Sequence, residues 1–459
     1  MKGRRNTAVR RPGDGGSGLT VVLIAAVVGV LSGLIGAAFH LLLDAAASGR
    51  ELLRHALEGR GAPGWLVLMP LCALLVAVAA RLVVGLAPEA AGSGIQEVEG
   101  VLAGVRYMHW RRLLPVKFFA GALGIGSGLV LGREGPTVHM GSALGAALAD
   151  QLRLPADEAR TLLAAGAGAG LAAAFNAPLA GIIFVTEEMR SEFNYNFVSL
   201  YSVIAASCMS VIVNDRWLGM GPSLPVQNVP LAPLGLAPVF LLLGVAIGGV
   251  GVGFNRLLLR AVTLLGPLRR RHGALTGAVI GAVGGALLWF LPDAVGGGET
   301  VVATFVTARG TLPFLLGLFA LRLVTTAGSY GAGVPGGIFA PMLALGTIAG
   351  VAFGAVATDL LPGIPLTPGM FAVAAMGALF ASTVGAPLTG IVLVLELTGA
   401  HAALLTITLT CLSAALTARA CGGRPIYRQL LQVALRATPE LSRQPPTSAV
   451  GTVTEQRPD

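Results

Sequence analysis

The chain is short of charge. Only 12% of its 459 residues are Asp, Glu, Lys or Arg, about half the share of a soluble domain. That excludes a water-soluble enzyme as the bulk of the fold. Cysteine is scarce too. Cys72, Cys208, Cys411 and Cys421 lie in or beside apolar stretches and none forms a CxxC pair. A disulfide framework and a cysteine metal centre are therefore excluded, and the four read as small packing residues. The six histidines are scattered with no HExxH spacing, and no GxSxG elbow is present. The N-terminal MKGRRNTAVRRPG has neither the apolar core nor the small-residue cleavage site of a secretory signal, and reads as a basic tail.

What the chain has instead is apolar and small. Hydrophobic residues make up 54%, glycine occurs 65 times and the mean hydropathy is +0.79. Small residues let helices approach closely in lipid, where no hydrophobic drive separates helix from helix. The composition is that of an all-α polytopic membrane protein. The net charge of +9 gathers in the N-terminal tail, at Arg111-Arg112, at Arg269-Arg270-Arg271-His272, and from Arg419 through Arg424 to Arg428. The positive-inside rule places these clusters and the N-terminus in the cytoplasm. They read as topology signals, not as a nucleic-acid surface.

Apolar blocks run from 18–43 to 402–420, and several are shorter than the roughly 20 residues of a full span. Gly and Pro interrupt them at GSGIQ (92–96), GREGP (132–136), FNAPLAG (175–181), GVPGGIFAP (333–341) and VGAPLTG (384–390). Broken helices in a membrane chain mark transporters, because non-helical backbone survives there only when buried or lining a polar cavity. There is also a repeat. AGAGLAAAFNAPLAGIIFVTEE (167–188) and MGALFASTVGAPLTGIVLVLEL (376–397) are identical at roughly half their positions without a gap. The second half is a divergent copy of the first, with a boundary near 214–233 and a binding site expected where the copies meet. Sequence leaves parallel and inverted copies both open, and motifs shared near helix starts favour inversion.

The breaks share one design. GSGIQ, GREGPT and GGIFAP place Gly, and in two cases Pro, at a helix start. The first N–H groups of a helix lack intrahelical partners and carry partial positive charge. Several converging at mid-membrane would bind an anion without the overly tight grip of a full Lys or Arg. Glu134 stands at one such start. Ionised, it acts as a tethered anion on those N–H groups; protonated, it lets go, so one carboxyl couples proton and anion occupancy. Arg133 either raises the local positive potential or pairs with a buried carboxylate. Glu187 and Glu188 close the run 177–188, as boundary carboxylates or with one of them as an internal proton acceptor.

GSGIQEVEG (92–100), GREGPT (132–137), AAAFNAPLAGIIFVTEEM (172–189), GGIFAPMLALG (336–346) and GGRPIY (422–427) together resemble the CLC family of chloride channels and proton-coupled chloride transporters, in family order and spacing, from about 18 to 437. The resemblance implies the CLC fold of two inverted repeats, approximately 18–220 and 230–437, with broken and re-entrant helices. It implies a prokaryotic homodimer with one pathway per subunit, in the bacterial inner membrane. The tails 1–17 and 438–459 would be cytoplasmic, and the chain lacks room for C-terminal regulatory domains. Chloride would be held by Ser93 and Tyr427 hydroxyls, by Ile338 and Phe339 N–H groups, and by Gly132 and Arg133 on the outer side. Glu134 would be the external gate and Glu188 the internal proton glutamate, which favours an exchanger over a passive channel. The partners are chloride, protons and membrane lipid, and no cofactor or metal is implied. Ser93 goes with chloride; a proline there goes with nitrate, and the fluoride-exporting branch lacks the central tyrosine. Gln96 departs from the family, which usually has Pro. A third reading, an intramembrane hydrolase using Ser93 with His109 or His139, has no motif behind it.

Overall fold

A computed structural model describes residues 15–59, 63–190, 195–219, 221–224, 226, 233–307, 310–362, 364 and 366–437. Residues 1–14 and 438–459, the bulk of the two expected tails, lie outside the described residues. The described chain forms α1 (Gly15–Glu58), α2 (Trp65–Leu86), α3 (Ile95–Leu102), α4 (Trp110–Gly126), α5 (Glu134–Gln151), α6 (Ala156–Phe175), α7 (Pro178–Glu188) and α8 (Phe197–Leu218). It continues as α9 (Ala237–Phe290), α10 (Glu299–Phe305), α11 (Leu312–Gly331), α12 (Phe339–Leu360), α13 (Pro368–Val384), α14 (Pro387–Thr398), α15 (Leu404–Ala420) and α16 (Ile426–Ala437). Extended pairing among the described residues is confined to two isolated bridges, Gly92 with Pro335 and Gly132 with Gly337.

Seven helices, α1, α2, α8, α9, α11, α12 and α15, are long and apolar enough to cross a membrane. A 22-residue helix such as α12 covers about 33 Å, the thickness of the hydrocarbon core. By contrast α3, α7 and α14, with 8, 11 and 12 residues, stop partway. Pro178 and Pro387 open α7 and α14 at positions where a missing N–H costs nothing. The apolar blocks 236–263 and 274–291, separate in the sequence reading, form two helical arms of α9 parted at His272, whose backbone (φ −137°, ψ 50°) is not helical.

The two repeat copies keep the same helix order, α5–α6–α7 in the first answering to α12–α13–α14 in the second. α6 ends on Asn176 in the left-handed region (φ 56°), and α13 ends on Gly385 at the equivalent position (φ 87°). Asn and Gly are the residues that tolerate this C-terminal conformation. α5 packs on α6 and α12 on α13. Gly141, Gly145, Gly166 and Gly170 in the first pair, and Gly346 and Gly350 in the second, lie so near the partner backbone that a Cβ would not fit. The direction of the copies follows from α7 and α14. Glu187, at the end of α7, accepts the N–H groups of Leu388 (3.1 Å) and Thr389 (2.7 Å) at the start of α14. Glu396, near the end of α14, accepts those of Leu179 (3.1 Å) and Ala180 (2.7 Å) at the start of α7. Equivalent glutamates cap each other's helices, so the pair is antiparallel and the copies are inverted. The alternative of parallel copies is thereby removed.

Candidate functional site

Three glycine-rich breaks are tied together by backbone hydrogen bonds. The Gly92 N–H donates to Val334 O (3.2 Å) and the Gly336 N–H to Gly92 O (3.0 Å). The Gly132 N–H donates to Gly337 O (2.9 Å) and the Gly337 N–H to Gly132 O (2.7 Å). These pairings bring the starts of α3, α5 and α12 to one place. Ser93 packs against Gly135, in the first turn of α5. Gly92 (φ +65°) and Gly94 (φ +90°) turn the chain so that α3 can begin there.

Glu134 is fully buried. Its Oε1 accepts the Phe339 N–H at 2.7 Å and lies 3.4 Å from the Ala340 N. A carboxylate of α5 thus occupies the N-terminus of α12, where the unpaired N–H groups and the helix dipole favour negative charge. A Cβ on Gly132 or Gly337 would fill the cradle that the carboxylate sits in. Tyr427, at the head of α16, is also fully buried, with its ring 5.9 Å from that of Phe339 and its hydroxyl toward Ser93. Ser93 Oγ, Tyr427 OH and Glu134 Oε2 are buried without a hydrogen-bond partner. Buried hydroxyls are almost always satisfied. Two neutral donors left open beside a helix N-terminus suit a small, desolvated anion. Ile338, the residue before α12, is fully buried.

The other expected residues stand around this centre. Arg133 turns its side chain away from it. Its Nε donates to Ala174 O (3.0 Å), its Nη1 lies 2.7 Å from His40 Nε2, and its Nη2 lies 3.3 Å from Glu299. The carboxylate it pairs with is half exposed, at 49%, not buried. A cavity of about 150 Å³, lined by Asp44, Arg50, Gly132, Arg133, Gly298 and Glu299 among others, opens beside it. Glu188 is buried at the end of α7, one turn beyond Phe184, whose ring meets that of Phe339 at 6.0 Å. The Glu187 carboxylate is committed to the start of α14. Gln96 is buried in the first turn of α3, and its side-chain oxygen finds no partner among the described residues. His139 packs over Gly94, yet neither of its ring nitrogens nor Ser93 Oγ has a partner, so no serine–histidine pair forms. His109 is drawn to Glu89, at 3.9 Å.

Sequence reasoning missed the supports of this site. Lys117 of α4 is fully buried and donates to Ala90 O (3.0 Å) and Gly92 O (2.8 Å), pinning the loop that presents Ser93. Arg322 occupies the corresponding place on α11. It donates to the carbonyls of Asp293 (2.6 Å), Val295 (3.1 Å) and Gly296 (3.0 Å), pinning the loop before α10. A lone cation inside an apolar run is costly in a membrane, and that signal was available in LLPVKFF and LFALRLV. The Tyr330 hydroxyl, which accepts the Ser93 N–H at 3.3 Å, left no such trace.

Residues 72–419 match the family model described as "Voltage gated chloride channel". The H(+)/Cl(-) exchange transporter ClcA of Vibrio parahaemolyticus is 45% identical over 427 residues, 92% of this chain and 91% of that protein. That of Salmonella arizonae is 45% identical over 424 residues, 90% and 88%. Among solved structures, a slow cyanobacterial Cl-/H+ antiporter superimposes with a TM-score of 0.87 at 34% identity, covering 91% of this chain and 98% of that one. A eukaryotic CLC transporter shares the fold, with a TM-score of 0.74 at 24% identity over 91% and 74%.

Proposed function

The chain belongs to the voltage-gated chloride channel family, and we propose that it is a secondary antiporter exchanging chloride for protons across the membrane. The observation that carries this reading is Glu134 on the N–H groups of α12. Ionised, the carboxylate takes the place an anion would take and closes the route. Protonated, it loses most of its attraction for the dipole and its charge-assisted hydrogen bond, swings out and leaves the N–H groups to chloride. Ser93 and Tyr427 hold the ion from the far side by neutral hydroxyls, and Ile338 and Phe339 by backbone N–H groups. Partial charges of this kind bind well enough to replace water and weakly enough to release. Chloride and the ionised Glu134 carboxylate therefore compete for the same N–H groups, and protonation of Glu134 tips the competition toward chloride.

The sidedness proposed is supported by α4, which starts at the basic Arg111-Arg112 and runs about 25 Å to Gly126, whose carbonyl accepts from Arg50 beside the cavity that Gly132 and Arg133 line. With the basic clusters and both termini cytoplasmic, Glu134 and Arg133 face outward. α7 starts beside the Arg133 contact at Ala174 and covers about 16 Å over its 11 residues, carrying Glu188 inward as the internal proton acceptor. Bacterial relatives support the inner membrane as its location. The assembly would be a homodimer, as the resemblance to the family implies. Each site is complete within one chain, so each subunit would have its own pathway.

The test is proton movement in chloride-loaded liposomes under an outward chloride gradient. Uphill proton uptake is expected in the wild type, with loss of proton movement and continued chloride efflux in Glu188→Gln and Glu134→Ala. Chloride efflux without proton movement in the wild type would make the protein a passive channel. Continued proton pumping by Glu134→Ala would remove the gate assignment.

A further inference from the structure

One histidine nitrogen in the outer cluster faces two incompatible partners. His40 Nε2 lies 2.7 Å from Arg133 Nη1 and 3.3 Å from Asp44 Oδ2. A guanidinium only donates and a carboxylate only accepts. To receive Arg133, Nε2 must offer its lone pair, with the ring neutral and its proton on Nδ1. To reach Asp44, Nε2 must carry a proton. Nδ1 is buried without a partner, so no other bond fixes the tautomer. The charged groups facing the ring are Arg133 at the head of α5, Asp44 on its own helix and Glu299 on α10. The cluster grades outward, with Arg133 8%, His40 19%, Glu299 49% and Asp44 57% exposed.

We propose that His40 is a proton-switched positioning residue for Arg133: neutral, it holds the guanidinium against α1, and protonated, it turns to Asp44 and releases the guanidinium toward Glu299 and the outer cavity. Arg133 has somewhere to go, because Nη2 already lies 3.3 Å from Glu299 and the cavity adjoins both. Its Nε bond to Ala174 O keeps the stem in place. Protonation of His40 adds one positive charge to the mouth, and release lets the existing charge of Arg133, the residue that precedes Glu134, move toward the cavity. A mouth of that sign raises the local concentration of anions. Acid outside would thus speed anion arrival by a route separate from the protonation of Glu134. The effect on transport rests on Glu134 being the gate; the switch itself does not.

Two measurements test it on the full chain. The first follows the imidazole nitrogens of histidine-labelled protein by nuclear magnetic resonance as pH falls, with His40→Gln identifying the signal. The neutral ring is expected to carry its proton on Nδ1. Asp44→Asn, at an exposed position that leaves the fold intact, is expected to move the midpoint about half a pH unit lower. A neutral ring with its proton on Nε2, or a midpoint indifferent to Asp44→Asn, overturns the proposal. The second compares chloride efflux from liposomes of Glu134→Ala and of Glu134→Ala with His40→Gln between about pH 7.5 and about pH 5. A response to acid in the first that is lost in the second supports the switch, and equal responses overturn its role in transport. Should Glu134→Ala liposomes pass no chloride at all, the transport reading fails and the nitrogen titration decides the switch alone.

Discussion

Gly337 sits where the gate has least room. A Cβ there would run into the Glu134 carboxylate and would stand 2.9 Å from the backbone N of Gly135. The backbone cannot yield easily, because the two hydrogen bonds between Gly132 and Gly337 (2.9 and 2.7 Å) hold it. Forcing one methyl into a packed site costs about 1–3 kcal/mol. The carboxylate is held mainly by one charge-assisted bond, to the Phe339 N–H at 2.7 Å, worth about 1.5–3 kcal/mol, or roughly 10- to 150-fold in occupancy. The two terms are of equal size and opposite sign. In Gly337→Ala the seated carboxylate should therefore fall from dominant to about even with the displaced one. Liposomes of this variant are expected to keep chloride efflux while moving at least about threefold fewer protons per chloride, read by a chloride and a pH electrode together. Gly336→Ala is the matched control, since its Cβ would crowd Leu131, whose own Cβ would stand 2.7 Å away, and not the Glu134 carboxylate; packing damage should appear there too, while its coupling should stay near that of the wild type. Wild-type coupling in Gly337→Ala, or equal loss of coupling in both variants, would refute the argument that the cradle is fitted to the carboxylate.

Tyr427→Phe removes one open donor and should weaken chloride binding by about 1 kcal/mol, roughly fivefold; calorimetry giving an unchanged affinity would exclude the hydroxyl from the site. Lys117→Met leaves the carbonyls of Ala90 and Gly92 without their donor and should cost about 1–3 kcal/mol of stability, seen as a lower melting temperature in detergent. An unshifted melt would mean that the loop holds itself. Glu396→Gln weakens the cap on α7 and should cost about 0.5–2 kcal/mol. Glu187→Gln should cost a similar amount by the inverted symmetry, and a large difference between the two would contradict that equivalence.

Much of this was legible in the sequence because the chemistry is local. Pro178 and Pro387 open helices, Asn176 and Gly385 close them, and Glu134 follows a glycine-rich break; each can be read within a few residues. What the sequence left open depends on contacts across long separations. The order of the repeat copies is settled by the Glu187 and Glu396 caps, which join residues more than 200 apart. The Tyr330 contact with Ser93 spans 237 positions and that of Arg133 with His40 spans 93. No periodicity or motif reports such a pairing. The two apolar blocks of α9 were legible as separate elements, because the basic cluster between them ends on the non-helical His272. Arg269, Arg270 and Arg271 themselves stay helical, since arginine is a good helix former, and the break falls on the next residue.

The reciprocal caps also set a clock. α7 is complete once residue 188 has been made, but the two donors at its start are satisfied by Glu396, 216 and 217 residues further on. At ribosomal rates of about 5–20 residues per second, that helix waits some 10–40 s before the residue that caps it exists. During this interval the first half holds a short helix with an open N-terminus and a carboxylate, Glu187, with nothing yet to cap. The second half meets no such delay, because Glu187 is already in place when α14 emerges. Assembly of the two copies is therefore unequal in time although the finished fold is nearly equal in shape, and the first copy is the one exposed to mispairing while the protein is being made.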